Sequence, residues 1–242
     1  MPVSLKAKRT VIKHAMLDIP DFFYRLVTNQ MYLPPYSLRM FVGGAKGFND
    51  AGVWFLNDLR NSGLINQNTK TILDIGCGTG KNTSFLAQIG VSIHALDFSQ
   101  GMIEIAKEKV LAKNVSFSIA DLTKRWPCEN ETYDLITCNL VLEHIQTLDH
   151  IFSEVARTLQ PAGKFLANEL HPFKQYQGTK ARFERTGKTI EVEAFTHHVS
   201  DFINAATTNR LKLDMLNEYW HEADQNKPPR LISFVFEKTR TY

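Results

Sequence analysis

The sequence predicts an α/β fold, a mostly parallel sheet with helices on both faces. Three observations carry this reading. Short apolar runs alternate with segments of helical period between Thr71 and Leu170. Gly, Asn and Pro punctuate the joins between them. Acidic or small polar residues close the apolar runs, on the edge where ligands of such sheets bind.

The elements follow in order. "TILDIG" (71–76) reads as a short buried strand, and "KNTSFLAQIG" (81–90) as a helix ended by Gly90. "VSIHALD" (91–97) is the second strand. Residues 99–114 form an amphipathic helix, capped by Ser99 and ended by Asn114, with Met102, Ile105, Ala106 and Lys109/Val110 on one face. "VSFSIAD" (115–121) and "YDLITCNL" (133–140) are the third and fourth strands. Residues 148–160 are a helix stopped by Pro161 and Gly163, and "GKFLANEL" (163–170) is the fifth strand.

Beyond Leu170 the pattern breaks through residues 171–187. It returns as a strand-like "KTIEVEAF", a helix over 200–209 capped by Ser200, and two closing strands, "LKLDMLNEYW" and "RLISFVFEK". These two would complete a seven-stranded sheet whose last strand is antiparallel. Before Thr71 come a helix near 18–30, a loop carrying "LPPYSLRMFVGG" and a helix from Asn49 to Asn61. The expected organisation is an N-terminal helical extension or lid over 1–48 and one domain over 49–242, with a substrate-side insertion over 171–198.

Composition bounds the function. A chain of 242 residues, 43% hydrophobic, can build a core without staples. A net charge of +3 requires no nucleic-acid partner, and nucleic acid is not the expected substrate. No apolar run approaches a membrane span, and the first residues lack a signal-peptide core, so a cytoplasmic protein is expected. Cys77, Cys128 and Cys138 are odd in number and widely spaced, which fits reduced thiols rather than a disulfide framework or a zinc ribbon.

"TILDIGCGTGK" raises the functional question. Gly76, Gly78 and Gly80 leave a bare backbone where a strand hands over to a helix, so a ligand can approach main chain that any Cβ would block. A dinucleotide would want G-x-G-x-x-G, with pyrophosphate over the helix start. Here the third glycine comes one position early, and Lys81 stands where the dinucleotide pattern wants glycine. Asp74, just before the loop, suits a ligand carrying an ammonium and a sulfonium better than a pyrophosphate. Asp97 closes the second strand, where an acid accepts ribose hydroxyls. Asp121 closes the third, where an acid can accept the adenine amine while Leu122 covers the ring and Phe98 packs on its other face. Each Asp alone could be a turn former or helix cap. Three of them at successive strand ends beside a triple-glycine loop point to S-adenosylmethionine.

Together "ILDIGCGTGK", "ALDFS", "IADLT", "YDLITCNLVLEHI" and "LQPAGKFLANE" resemble the class I S-adenosylmethionine-dependent methyltransferases, of the type 11-like group. The resemblance covers about residues 49–170, and the closing helix and strands more loosely. It implies a Rossmann-like sheet, with Gly76–Gly80 cradling the methionine part of the cofactor and Asp74 orienting that loop or the amino group. It implies Asp97 on the ribose, Asp121 and Leu122 at the adenine, and Asn139 facing the methionine moiety near the transferred methyl.

Methyl transfer is an in-line displacement that needs alignment and no metal, and it needs a base only where the acceptor must lose a proton. His144, His171 and His197 are the candidate bases, the last two from the segment expected to roof the pocket. Glu169, His198 and the run Tyr219, Trp220, His221 stand nearby in the pattern. No metal is expected, because these histidines lack ligand spacing. "PPY" (34–36) is similar to the signature of amino-group methyltransferases acting on nucleic acid, but Leu33 replaces its hydrogen-bonding residue and the run lies in the wrong place. It reads as an extended loop, with Tyr36 and Arg39 placed to fold over the cofactor.

A small-molecule acceptor is the leading expectation, since Phe173, Tyr176, Phe183 and Phe195 suit an apolar or aromatic guest in a closed pocket. Core packing or contact between two copies in a homodimer explains those residues equally well. The alternatives are an RNA or protein methyltransferase using the basic run 174–188, a nicotinamide-dependent oxidoreductase, and a domain that binds the cofactor without using it.

Overall fold

The computed structural model describes residues 55, 59–60, 62–65, 69–178, 182–185, 188–191, 193–220 and 227–240. The expected N-terminal lid over 1–48, with Tyr36 and Arg39, lies outside the described residues, as does His221. All described residues but Phe55 belong to the unit Leu59–Tyr242.

The chain runs β1 (Thr71–Ile75), α1 (Lys81–Leu86), β2 (Ser92–Asp97), α2 (Gln100–Lys109), β3 (Val115–Ile119), β4 (Tyr133–Asn139), a 3₁₀ turn (Leu142–His144), α3 (Asp149–Thr158) and β5 (Leu159–Leu170). It continues through α4 (Pro172–Tyr176), β6 (Arg182–Arg185), β7 (Lys188–Glu191), α5 (Val199–Thr208), β8 (Leu211–Tyr219) and β9 (Leu231–Lys238). The seven-stranded sheet has the order β3-β2-β1-β4-β5-β9-β8. Neighbouring strands from β3 to β5 are parallel. β9 is antiparallel to both β5 and β8, so the last strand alone runs against the rest, as the sequence predicts.

Burial follows position in the sheet. β1 and β9 are covered on both faces and read as nearly continuous apolar runs. β8 lies at an edge, and its residues alternate between sheltered and exposed positions. The core beneath β4, β5 and β9 is aromatic: Phe152 meets Phe165 and Phe236 edge-on at 5.6 and 5.4 Å between centroids, and Phe202 stacks on Phe234 at 4.7 Å.

Four expectations are corrected. Helix α2 ends at Lys109, not near Asn114, and its buried face is Ile103 and Ala106, followed by Val110. Met102 and Ile105 lean to solvent, 42% and 40% exposed. Asn114 instead donates through Nδ2 to the Ala87 and Gly90 carbonyls, tying off the helix before it. Helix α5 begins at Val199 with His198 as its cap residue, and the His198 N–H donates to Asp201 Oδ2 at 2.8 Å, so Ser200 is not the cap. The segment after β5 is not wholly irregular: it forms α4 and a separate two-stranded ribbon, β6 paired with β7.

Candidate active site

The carboxyl ends of β1, β2, β4 and β5 lie side by side and carry the predicted site residues. Between β1 and α1 the chain turns through three left-handed glycines, with φ of 68° at Gly76, 53° at Gly78 and 78° at Gly80. They do different jobs. A Cβ on Gly76 would stand 2.2 Å from Val141 Cγ2, and one on Gly80 would stand 2.9 Å from Val110 Cγ2. These two are required by the protein's own packing. Among the described residues a Cβ on Gly78 would meet nothing within 4 Å, so they leave its bare backbone open.

Two carboxylates hold this loop. Asp97 Oδ2 accepts the Gly78 N–H at 2.8 Å, and its Oδ1 accepts the Ser99 N–H at 2.9 Å. A carboxylate has about four acceptor positions, so these bonds leave lone pairs for ribose hydroxyls. Asp74 is buried under the loop, where its oxygens accept the hydroxyls of Thr83 at 2.6 Å and Thr137 at 2.9 Å. Burial pushes its carboxyl up to about 6, against the pull of those two hydroxyls. Asp74 thus ties β1, α1 and β4 together directly beneath the glycines.

At the end of β3, Asp121 forms a turn: its Oδ1 accepts the Thr123 N–H at 3.0 Å and hydroxyl at 2.6 Å, which hold its carboxyl below the ordinary range. Phe98 is 78% exposed beside Asp97, open to a flat ring. Leu122 departs from the expectation that it covers adenine, because its side chain is 7% exposed and belongs to the main core.

The loop after β4 is strained and strapped to β5. Leu140 has φ of 56°, uncommon for a branched residue. Its N–H donates to the Asn168 carbonyl at 2.8 Å. Glu169 Oε1 accepts the N–H groups of Val141 at 3.2 Å and Leu142 at 3.1 Å. Glu169 is 2% exposed, and burial pushes its carboxyl up to about 8, so it is mostly protonated at neutral pH. The sequence places Glu169 at the mouth of β5 but gives no sign that it would clamp the neighbouring loop.

The three candidate histidines separate. His171 is buried: its Nδ1 accepts the Phe173 N–H at 3.2 Å, so Nε2 carries the proton and donates to Glu218 Oε1 at 2.8 Å. Neither nitrogen is left to take a proton, which corrects its assignment as a base. His197 is also buried, and its Nε2–H donates to the carbonyls of Ile145 at 2.8 Å and Leu142 at 3.2 Å, holding the post-β4 loop. It lines a cleft of about 630 Å³ between residues 146–149 and α5, to which none of the glycine loop, Asp97, Asp121 or Asn139 contributes. His144 is exposed: its Nδ1–H donates to the Glu193 carbonyl at 2.9 Å, and Nε2 lies 3.7 Å from Glu143 Oε1. Trp220 donates its indole N–H to the Lys227 carbonyl at 2.7 Å. Among the described residues no group of three His, Cys, Asp or Glu could hold a metal ion.

The strand order, the glycine turn and the acids at the ends of β2 and β3 form the kind of carboxyl edge at which α/β sheets bind nucleosides. Residues 73–167 match the family described as "Methyltransferase domain". The chain is 29% identical over 181 residues to phosphoethanolamine N-methyltransferase 2 of Caenorhabditis elegans, covering 69% of this chain and 40% of that protein. It is 26% identical over 184 residues to the mitochondrial ubiquinone biosynthesis O-methyltransferase of Candida albicans, covering 73% of this chain and 54% of that one. The chain thus spans about half the length of the curated relatives it matches. A solved S-adenosylmethionine-dependent methyltransferase from Mesorhizobium loti shares the fold, with a TM-score of 0.65 at 18% identity over 78% of this chain and 99% of that one. Residues 73–167 thus match a methyltransferase-domain family, and S-adenosylmethionine is the donor named for solved proteins that share the fold. The open backbone at Gly78 and the buried Asn139 Nδ2, which has no partner, fit such a ligand.

Proposed function

We propose that the protein transfers a methyl group from S-adenosylmethionine to a small-molecule acceptor. One observation carries the reading: the described residues leave the Gly78 backbone open while Asp97 grips it from the neighbouring strand. That turn offers a cradle beside a carboxylate. The relatives named for phosphoethanolamine N-methylation and for O-methylation in ubiquinone biosynthesis support small acceptors.

Gly76–Gly80 would hold the methionine part of the cofactor, Asp97 the ribose, and Asp121 with Phe98 the adenine. When bound, the cofactor supplies a methyl carbon activated by a positive sulfur. The chain's task is to align the acceptor, exclude water and accept a proton where one is released. His144 is the best placed of the three histidines for that last step. Its Nδ1–H is fixed on the Glu193 carbonyl, which leaves the Nε2 lone pair to receive a proton, and Glu143 at 3.7 Å would steady the resulting imidazolium. The segment 171–198 would roof the acceptor.

The test is a screen of amine, hydroxyl and carbon acceptors with methyl-labelled S-adenosylmethionine, following label in the product and S-adenosylhomocysteine together. Stoichiometric appearance of both supports the reading. Donor binding without transfer to any acceptor contradicts it.

A further inference from the structure

The sheet register places a second polar pair beside the loop. Asn139 on β4 pairs with Asn168 on β5, and both share the sheet face of Asp74 and Thr137. Asn168 Nδ2 donates to Asn139 Oδ1 at 3.0 Å. That bond fixes both amides and leaves Asn139 Nδ2 and Asn168 Oδ1 buried without a partner. Asn168 is 5% exposed, and a buried polar atom left unpaired is destabilising. Two such atoms on adjacent strand ends, one donor and one acceptor, constitute a site awaiting a ligand.

Position along the sheet tells the two apart. The strands run β2-β1-β4-β5, with Asp97 on β2, the glycine loop after β1, Asn139 on β4 and Asn168 on β5. A cofactor whose ribose sits at Asp97 and whose methionine lies over the loop reaches Asn139. Asn168 lies one strand further from Asp97, beyond the methyl end. Its Oδ1 accepts only, and it is uncharged. The partner it can satisfy is an N–H or O–H.

We propose that Asn168 is a positioning residue for the methyl acceptor, whose amine or hydroxyl donates to Asn168 Oδ1 while Asn168 Nδ2 keeps the Asn139 amide turned toward the cofactor. This rests on the methyl-transfer reading. It names the acceptor as one that reacts through a nitrogen or oxygen bearing hydrogen.

The experiment compares the full-length chain with Asn168→Leu and Asn168→Asp. Affinity for S-adenosylmethionine is measured by calorimetry, and acceptor kinetics are measured with phosphoethanolamine, catechol and any hydroxyl or amine found in the screen. Loss of the acceptor's hydrogen bond predicts that Asn168→Leu raises acceptor KM roughly ten-fold or more, while release of the Asn139 amide raises donor Kd by a clearly smaller factor. Asn168→Asp retains an acceptor oxygen, so it should restore KM at high pH and lose it as the carboxylate protonates, a pH dependence absent from the wild type. Equal effects on donor Kd and acceptor KM, an unchanged KM in Asn168→Leu, or methylation at carbon would overturn the proposal. A chain that binds the donor and methylates none of the amine or hydroxyl probes also overturns it. A chain that binds no donor removes the methyl-transfer reading itself.

Discussion

Both ring nitrogens of His171 are engaged, one by the Phe173 N–H and one by Glu218, while His144 keeps Nε2 available. The difference comes from partners distant in sequence. Glu218 lies 47 residues from His171, and the carbonyls that hold His197 lie 52 and 55 residues from it. No local pattern announces such partners, so the sequence marks histidines as eligible without assigning their work. Two expectations follow. His171→Ala should lower the melting temperature by several degrees while leaving kcat within about two-fold, because it removes a cap and a buried contact rather than a base. His144→Gln should lower kcat roughly 10²-fold or more with a hydroxyl acceptor, and donor affinity should stay unchanged. Stopped or quenched turnover assays beside thermal melts separate the two. Normal turnover in His144→Gln would remove it as the base.

The glycine turn and the strap beneath it were unequally legible. "GCGTG" announces the turn in the sequence, but its division of labour appears only in three dimensions. Gly76 and Gly80 are closed by Val141 and Val110, and Gly78 alone is left open by the described residues. Gly78→Ala should therefore cost only about 1–2 kcal/mol of stability from its left-handed backbone, yet weaken donor binding strongly. Gly76→Ala should destabilise the fold beyond that, because its Cβ would collide with Val141. Urea unfolding paired with calorimetry checks both, and a Gly78→Ala variant binding the donor as tightly as wild type would contradict the cradle. Half of the expected face of helix α2 holds, since Ala106 and Val110 turn inward, while Met102 and Ile105, as apolar as Ile103, lean to solvent. Only packing on the sheet selects the Ile103, Ala106, Val110 row.

Glu169 belongs to the same scale, as the clamp on the loop after β4. Its folded carboxyl titrates near 8 against an ordinary 4.5, so the folded state binds its proton more tightly than the unfolded chain. The sign follows: this contribution is fully present below about 4.5 and is lost as pH rises through about 8. Glu169→Gln keeps an oxygen for the Val141 and Leu142 N–H groups and has no proton to lose. The variant should show a flatter unfolding free energy between pH 5 and 8 than the wild type, the difference being roughly a few kcal/mol at most. Denaturant titrations across that range test it, and identical slopes in the two proteins would contradict the buried, protonated state.

For the molecule as a whole, the seven strands and the antiparallel last strand are readable because each element is short, apolar and punctuated, whereas their spatial order comes from the structure. Strand-end acids were readable because each closes such a run. Lost to the sequence were the ribbon of β6 and β7 and the strap between β4 and β5, which are pairings between segments with no shared local signal. Asp74 adds to the pH dependence in the same direction as Glu169, its raised carboxyl near 6 withdrawing stability as pH climbs from about 3.8. Among the described residues no helix is long and apolar enough to cross a membrane. A ligand held by the folded state alone should raise unfolding free energy by about 2.7 kcal/mol at a hundred times its Kd, visible as a thermal shift with S-adenosylmethionine.

The most direct measurement is isothermal calorimetry of the purified chain with S-adenosylmethionine, and with a nicotinamide dinucleotide for comparison, in wild type and Asp97→Ala. Saturable one-to-one binding of the sulfonium compound, abolished by Asp97→Ala and matched by no heat from the dinucleotide, is the predicted result. Saturation by the dinucleotide with no response to the sulfonium donor would contradict it.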